Sequence, residues 1–463
     1  MNSIDTVCFL SFMFSIVGIG LWRAGKVRQE SSYLLADRKI GLFALTATLV
    51  MTEFNTSTLV AFSSMGYLTG LFAISLPAVF LIGLLFYSGV VAKKWKQFNG
   101  LSVAQFFTQR YGRGVGRVAS IALLTAMAGF SAVYVKSLTL LFALIFPSMS
   151  FEGLSLLLVA IVVFVTLRGG LVSIIHTDVL SFCVIALFLP FMAYFAWSAA
   201  EFPNMNQFFE AYPLESATAI LPPSFVIAIT LITMFTYILA PWYGQKIFAA
   251  QSEKVARNAV FIAAILVFAF YSCTVFAVSL LKLKGVALDS PDLALPHLLQ
   301  HYLPRGWKGL GYAVFFAAAA TTLSGVWSAM TSMVIADFLE QKDRGSYKRG
   351  ACITLAFAAL SYLLANTLVD QVFQKLILAN IPILALSFAL LSGFYWKKAS
   401  SKGAILSIVV GLLWGIGVYF HYGEEGGYQW YWAVYGIPLI FLTGSIGSLL
   451  FPDRSEVIVE QFD

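Results

Sequence analysis

Runs of apolar residues, each long enough to cross a lipid bilayer, recur along the whole of this 463-residue chain. A helix needs about 20 consecutive apolar residues to span the hydrocarbon core. Helices are favoured because every backbone polar group in lipid must be hydrogen-bonded within the protein. We therefore predict an all-α, polytopic membrane protein with about thirteen transmembrane helices. The runs lie at residues 4–23, 42–68, 71–92, 116–146, 151–167, 171–198, 223–247, 259–284, 307–337, 349–369, 372–395, 403–421 and 429–450.

The composition excludes a water-soluble globule. Hydrophobic residues make up 60% of the chain and charged residues 11%, against about 45–50% and about 25% in soluble proteins. The net charge of +7 does not indicate nucleic-acid binding, because Lys and Arg lie in short loops between the apolar runs. We expect the partners to be the lipid bilayer, a small solute and an ion, with no nucleic acid, and we expect the protein to function as a monomer.

The basic loops predict the orientation in the membrane, because cytoplasmic loops carry an excess of Lys and Arg. Lys and Arg concentrate at 23–39, 93–117, 246–257, 342–349 and 397–402, whereas 199–222 carries three Glu and neither Lys nor Arg. With thirteen spans, these basic loops all lie in the cytoplasm only if the N-terminus is outside and the C-terminus is in the cytoplasm. We expect a plasma membrane location, with a bacterial inner membrane favoured.

Two spans contain residues that interrupt helices. Residues 52–58, within 42–68, place a carboxylate and several hydroxyls near the middle of the membrane, where polar groups are costly unless buried in protein or a cavity. In 223–247, Pro241 and Gly244 favour a second break, although a plain proline kink remains the alternative. The two spans are five helices apart, which is typical of transporters built from inverted repeats.

Six motifs in order resemble those of the sodium:solute symporter family. They cover most of the chain, and Lys246 stands where the family pattern has Arg. The matching segments are Tyr33 to Arg38; Gly66, Tyr67 and Gly70; Gly169 to Leu171 with Thr177 and Asp178; Gln245 and Lys246 with Ala249, Ala250, Ala256 and Arg257; the hydroxyl-rich stretch from Ala318 to Asp337; and Tyr395 to Lys398 with Gly403.

The resemblance implies a leucine-transporter-type fold in one transmembrane domain, residues 1–463. Its first inverted five-helix repeat would occupy 42–198 and its second 223–395. One helix would precede the repeats and two would follow them.

The resemblance also implies a sodium site. Its ligands would be the carbonyls of Met51, Phe54 and Ala318 and the hydroxyls of Thr321 and Thr322. These are oxygen ligands, which hard cations prefer. The alternative is that the hydroxyls only bond back to the preceding helical turn or join helices.

A second sodium site, or the route by which sodium leaves, is implied at Asp178. In some family members that aspartate acts with hydroxyls of the ninth span, here Thr321 and Ser324. Gly325 replaces one expected hydroxyl. The alternative is structural, because the first turn of any helix favours an acidic side chain.

Two charged residues lie deep within predicted spans. Glu53 must be neutral, paired or bound to a cation at that depth. Its candidate partners are a second sodium, a proton, a cationic group of the substrate, or Lys136. For Lys136, the resemblance implies an anchor for a substrate carboxylate. The alternatives are that Lys136 pairs with Glu53 or that the long Lys136 side chain extends to the interface.

The remaining candidate substrate residues are uncharged. Asn55 and Thr58 belong to the polar run, and Tyr237, Trp242 and Tyr243 flank the second break. Packing in the core is the alternative for each aromatic residue. Sugar transport is not favoured, because the family's sugar-binding positions here include Pro77 and Ala240, whose side chains cannot hydrogen-bond.

We therefore expect a symporter, with Na⁺ as coupling ion and no cofactor, that imports a small organic solute by alternating access. An amino acid or a monocarboxylate is the favoured substrate. Proton coupling or a cationic substrate, acting through Glu53, is the alternative. A membrane enzyme is not expected because the histidines at 176, 297, 301 and 421 are scattered, and a transporter-like sensor is disfavoured because no fused output domain is apparent.

Overall fold

The computed structural model describes residues 2–24, 38–98, 100, 102–166, 171–339 and 347–453. Helices account for nearly all of the regular structure in these ranges. Extended pairing there is limited to a single bridge between Ile40 and Ala250. The prediction of an all-α chain is confirmed.

The first half of the chain forms long helices separated by short surface helices. A 3₁₀ turn at Gly70–Ile74 joins two of them. The helices are α1 Ser3–Ala24, α2 Leu42–Glu53, α3 Thr56–Thr69, α4 Ser75–Val90, α5 Ala92–Phe98, α6 Val103–Tyr111, α7 Arg113–Ala143, α8 Phe151–Thr166 and α9 Leu171–Ala199.

The second half repeats this mixture of long and short helices. A 3₁₀ turn at Pro291–Leu293 precedes one short helix, and a π-helical segment occupies Tyr431–Gly436. The helices are α10 Met205–Ala211, α11 Leu214–Ile220, α12 Pro223–Tyr237, α13 Pro241–Phe248, α14 Glu253–Leu283, α15 Ala294–Tyr302, α16 Trp307–Phe338, α17 Tyr347–Thr367, α18 Val372–Leu378, α19 Ile381–Leu384, α20 Ser387–Tyr395, α21 Ser401–Tyr422, α22 Tyr428–Trp430 and α23 Ile437–Leu450.

The count of thirteen spans is not confirmed. Among the described residues, eight helices are long and apolar enough to cross a membrane, or ten if each of two bent pairs is one span. Shorter apolar helices occupy Ser3–Ile19, Leu42–Glu53 and Phe151–Phe164. One of these has a physical cause, since the break at 54–55 leaves Leu42–Glu53 shorter than a full span.

Three apolar runs are interrupted, one more than the sequence predicted. The breaks at 54–55 and 238–240 lie within the two predicted segments. The run 372–395, predicted as one helix, instead bends by 44° between α19 and α20. Pro382 in the first turn of α19 cannot continue a preceding helix, which explains the separation of α18 from α19.

α14 and α16 are the helices around which the bundle packs. α14 lies against α2, α3, α4 and α9, so that it contacts both halves of the first broken span. α16 packs against α1, α7, α9 and α17, and 83% of its apolar window is buried. The first break is therefore held between two long helices.

The close packing of α21 against α23 gives a test of the fold. A Cβ atom at Gly403 would lie 2.6 Å from the Ser448 nitrogen and 2.7 Å from the Gly444 carbonyl oxygen, whereas one at Gly417 would meet nothing within 4 Å. Gly403→Ala should cost about 1–3 kcal/mol of stability through overpacking, and Gly417→Ala should be neutral or stabilise by up to about 1 kcal/mol. Thermal unfolding of the two purified variants measures this, and equal melting temperatures would contradict the packing.

Candidate functional site

The break between α2 and α3 is formed by two residues and held by Asn55. Phe54 has φ −78° and ψ 73°, and Asn55 has φ −106° and ψ 161°, so the chain is extended as α3 begins. The Asn55 side-chain oxygen accepts a hydrogen bond from the Thr58 amide at 2.9 Å, as a helix N-cap does. Its side-chain nitrogen donates to the Glu53 carbonyl, also at 2.9 Å. The sequence thus supplies its own cap at mid-span.

This arrangement removes two amides from their usual carbonyls. In a continuous helix, the Asn55 amide would bond to the Met51 carbonyl and the Thr58 amide to that of Phe54. Here the Asn55 amide bonds to the Glu53 carbonyl and to the Tyr271 hydroxyl, and the Thr58 amide bonds to the Asn55 side chain. The carbonyls of Met51 and Phe54 therefore lack the amide partners of a continuous helix.

Tyr271 of α14 completes the break, and the sequence analysis missed it. Its hydroxyl donates to the Glu53 carbonyl at 2.5 Å and accepts from the Asn55 amide at 3.3 Å. Interrupted backbone within a membrane protein needs partners of this kind, since lipid offers none. No sequence signal distinguishes Tyr271, because it is one of 20 tyrosines and lies in an ordinary apolar run.

The hydroxyls predicted as sodium ligands lie on α16, which packs beside α2. Thr321 Oγ1 and Thr322 Oγ1 both donate to the Ala318 carbonyl, at 3.2 Å and 2.8 Å. The Phe54 ring lies 6.3 Å from that of Phe315, one turn before Ala318. The two carbonyls of the break and the three α16 oxygens thus belong to adjacent segments, and all five are neutral oxygen donors suited to Na⁺.

A small internal chamber lies beside the break. Its volume is about 60 Å³, counted as space open to the centre of a water molecule. Four of the predicted substrate residues line it: Asn55, Thr58, Tyr237 and Trp242. No charged residue appears among the described residues of its wall. The other lining residues are Phe62, Leu76, Val79, Phe80, Phe130, Tyr134, Ile229, Ile232, Thr233, Thr236, Ala240, Phe373, Leu376, Ile377, Asn380 and Ile383.

Glu53 lies behind the chamber wall. Its side chain is buried, and Oε1 accepts a hydrogen bond from the Tyr237 hydroxyl at 2.5 Å. Oε2 has no hydrogen-bond partner among the residues the structure describes. One carboxylate oxygen thus contacts a chamber residue, and the other has unused hydrogen-bonding capacity.

Two other predicted substrate residues lie away from the chamber wall. Tyr243 is buried and packs edge-on against Tyr87, with ring centroids 5.4 Å apart. The Lys136 ammonium lies 4.3 Å from the centre of the Phe151 ring. Lys136 makes no ion pair with Glu53, so the structure does not bring those two charges together.

Asp292, in the 3₁₀ turn before α15, is the carboxylate near Lys136. Burial raises the pKa of Asp292, and three neighbours oppose that shift: the Ser64 hydroxyl, the Val372 amide and the Lys136 charge. The Asp292 side chain therefore bonds the turn to α3 and α18, and it feels the charge of Lys136 on α7. The sequence analysis did not identify Asp292, because it lies in a loop between two apolar runs.

Asp178 and Lys246 form a buried ion pair. Lys246 Nζ lies 2.9 Å from Asp178 Oδ2, which also accepts a hydrogen bond from the Thr48 hydroxyl at 2.5 Å. The same ammonium donates to the Thr48 carbonyl at 3.0 Å and to the Thr52 hydroxyl. The pair thus joins α9 and α13 to α2, one turn before the break.

Ser324, which was predicted to act with Asp178 in a second sodium site, is bonded to a different residue. Ser324 Oγ shares a hydrogen bond of 2.6 Å with Thr166 Oγ1 on α8. Asp178 Oδ1 is buried and has no hydrogen-bond partner among the described residues. Asp178 and Ser324 are therefore not bonded to each other in this structure.

The ion pair between Asp178 and Lys246 was not predicted. Sequence analysis noted Lys246 only as a departure from a motif.

Comparison with known proteins identifies the family. Residues 33–411 match the sodium:solute symporter family. The chain belongs to that family. A sodium/glucose cotransporter of Vibrio parahaemolyticus is 24% identical over 464 aligned positions, which cover 89% of this chain and 84% of the relative. This symporter is thus a multi-pass membrane transporter that couples solute movement to Na⁺, and not an enzyme.

Solved structures agree on the fold of the symporter. A Na⁺-coupled sialic acid symporter in a substrate-bound, outward-open state matches with a TM-score of 0.80 at 16% identity, covering 98% of this chain and 99% of the other. A nucleobase-cation-symport-1 family transporter, closed with bromovinylhydantoin bound, gives a TM-score of 0.62 at 13% identity, with coverages of 94% and 99%. At these identities the likeness shows the fold alone, and that fold is leucine-transporter-like.

The Asp178 and Lys246 pair generates a double-mutant prediction. Lys246→Met should leave a buried carboxylate without its partner and lower stability by about 3–5 kcal/mol, and Asp178→Asn should have a similar effect by isolating the ammonium. The double variant should recover most of the loss, because neither charge remains. Thermal unfolding of the three purified variants measures the coupling; additive losses in the double variant would contradict a direct pair.

Proposed function

We propose that this protein imports a small organic solute by sodium-driven alternating access, with its N-terminus outside and its C-terminus in the cytoplasm of a bacterial cell. The observation that carries the proposal is that the carbonyls of Met51 and Phe54 lack the amide partners of a continuous helix, at the end of a helix that packs against α16. A cation that crosses a polarised membrane releases roughly 2.3 kcal/mol per charge per 100 mV, which can drive uptake.

We propose one coupling sodium, held by Met51, Phe54, Ala318, Thr321 and Thr322. Asp178 then belongs to the route by which the ion leaves. Its Oδ2 atom already holds the Lys246 ammonium, and Gly325 offers no hydroxyl at the neighbouring position. Its free Oδ1 atom and the Ser324 hydroxyl would contact sodium in passing.

The proposed solute is an amino acid or monocarboxylate with an apolar body. The chamber wall is largely aromatic and aliphatic, with polar contacts from uncharged residues such as Asn55, Thr58 and Asn380. Lys136 follows the chamber residue Tyr134 on α7 and lies close to Asp292. A substrate carboxylate would replace Asp292 beside Lys136 as the solute reaches the chamber. The two similar transporters named above carry solutes of different classes, glucose and sialic acid.

A second candidate is coupling to a proton, or transport of a cationic solute, through Glu53. The observation that favours it is Oε2 of Glu53, which is buried and unpartnered while Oε1 contacts the chamber residue Tyr237. A proton or a substrate ammonium would satisfy that oxygen. Sodium dependence and pH dependence of uptake separate the two candidates.

The sodium proposal predicts the effect of removing single ligands. Thr321→Ala and Thr322→Ala should each raise the Na⁺ concentration for half-maximal uptake by about tenfold, which corresponds to about 1.4 kcal/mol. Thr331→Ala is the matched control on the same helix, because its hydroxyl bonds to Thr354 of α17. Uptake into proteoliposomes across a Na⁺ series measures the effect. Unchanged sodium dependence in both test variants, at normal folding, would move the site away from α16.

The substrate proposal predicts that Lys136→Met weakens carboxylate binding and leaves Na⁺ binding nearly intact. Lys282→Met is the control, since that lysine also lies over an aromatic ring, 4.7 Å from the centre of Tyr212. Candidate solutes are screened by thermal stabilisation of the purified protein with and without Na⁺. A response lost in Glu53→Gln but kept in Lys136→Met would favour the second candidate.

A further inference from the structure

A basic cleft opens where α4 ends and α14 begins, at the end of the bundle that carries the basic loops. Its volume is about 840 Å³, and its lining includes four cationic side chains, Lys93, Lys96, Lys254 and Arg257. Among the residues that the structure describes, Glu253 is the only carboxylate in the lining, and it already accepts a hydrogen bond from Gln97 at 3.3 Å. The cleft therefore has a clear excess of positive charge.

The cations of the cleft have little compensation from the protein. No residue in the described part of the chain forms an ion pair with Lys93, Lys254 or Arg257. Lys96 donates to the Phe248 carbonyl at 3.0 Å. Burial lowers the pKa of Lys96, and the charge of the nearby Arg38 lowers it further. An anion in the cleft would relieve this repulsion.

The same helices carry an apolar surface that leads away from the cleft into the membrane. On α14, Phe261 and Ile265 follow Arg257 at intervals of four residues and therefore lie on the same face of the helix. Phe261 is 49% exposed and Ile265 is 48% exposed. On α4, Ile82 and Leu85 are exposed on the face that leads towards Lys93. α4 packs against α14, so these exposed apolar side chains lie on two neighbouring helices next to the cleft.

We propose that this cleft and the exposed apolar surface next to it bind an anionic phospholipid, with its phosphate among Lys93, Lys254 and Arg257 and an acyl chain along Phe261 and Ile265. Basic pockets between transmembrane helices at the cytoplasmic side suit such headgroups, and each Lys or Arg near the surface adds to the attraction. A soluble anion would use only the cleft. The exposed apolar side chains that follow the cations along α14 favour a lipid over a free phosphate.

The test compares charge removal inside and outside the cleft. The cleft variant is Lys93→Gln, Lys254→Gln and Arg257→Gln. The control variant, Arg113→Gln, Lys398→Gln and Lys402→Gln, removes the same charge from exposed positions at the same end of the bundle. The purified proteins in neutral detergent are titrated with phosphatidylglycerol, phosphatidylcholine and inorganic phosphate. Native mass spectrometry measures lipid binding, and melting temperature measures stabilisation by each compound.

The wild type should bind phosphatidylglycerol in preference to phosphatidylcholine. The cleft variant should bind it roughly 100-fold more weakly, at about fivefold for each basic residue removed, and the control variant should bind it nearly as well as the wild type. Equal losses in both variants would overturn the proposal. So would equal binding of the two lipids by the wild type. Should the triple variant fail to fold, Arg257→Gln alone should give a loss of about fivefold, and no loss there also overturns it.

A second pair of variants distinguishes the lipid from free phosphate. Phe261→Asn should weaken phosphatidylglycerol binding, whereas Leu413→Asn, a substitution on the exposed face of α21, should not. Inorganic phosphate should stabilise neither the wild type nor these variants at concentrations where the lipid does. Equal stabilisation by inorganic phosphate would identify a soluble-anion site and refute the lipid assignment.

Discussion

At the junction of α2 and α3, the Asn55 side chain accepts a hydrogen bond from the Thr58 amide, and the Tyr271 hydroxyl accepts one from the Asn55 amide. The candidate sodium site depends on these two bonds, because they leave the carbonyls of Met51 and Phe54 without their helical partners. A carbonyl buried without a donor is costly, and a cation removes that cost without requiring a buried carboxylate. The same polar groups that would destabilise a plain transmembrane helix therefore become ligands when α16 lies alongside with its hydroxyls.

The buried pair of Asp178 and Lys246 lies one turn from this break and uses the same helix. Lys246 contacts both the carbonyl of Thr48 and the hydroxyl of Thr52, so α13 is held to α2 through hydrogen bonds as well as charge. Asp178 reaches the same point from α9 and bonds to Thr48. A carboxylate at this depth that is neutralised by the protein attracts a passing cation less strongly than a bare one. That property suits a route out of the site better than a second place of tight binding.

Composition and periodicity were sufficient for the fold class, since apolar runs in lipid have to be helical. The breaks at 54–55 and 238–240 were also predictable, because mid-membrane polar residues favour the first, and Pro241 favours the second over a plain kink. The third break, near Pro382, was missed because the apolar run around it is otherwise continuous. Tyr271 and Lys246 were missed for a different reason. Their importance comes from partners 216 and 68 residues away along the chain, and no local pattern reports such distant pairing.

The chamber is bordered by residues at or near all three breaks, Asn55, Ala240 and Asn380. At a break, a membrane helix exposes backbone groups and short polar side chains. The chamber wall is therefore polar near the breaks and mostly apolar elsewhere. The two deep charges remain outside the wall, with Glu53 behind Tyr237 and Lys136 beside Phe151. Burying an ionised group in this chamber would cost desolvation free energy, and the uncharged wall supplies no opposite charge to offset that cost. A charge on a solute in the chamber would therefore have to be met from outside the wall, where Glu53 lies behind Tyr237 and Lys136 lies two residues beyond Tyr134 on α7.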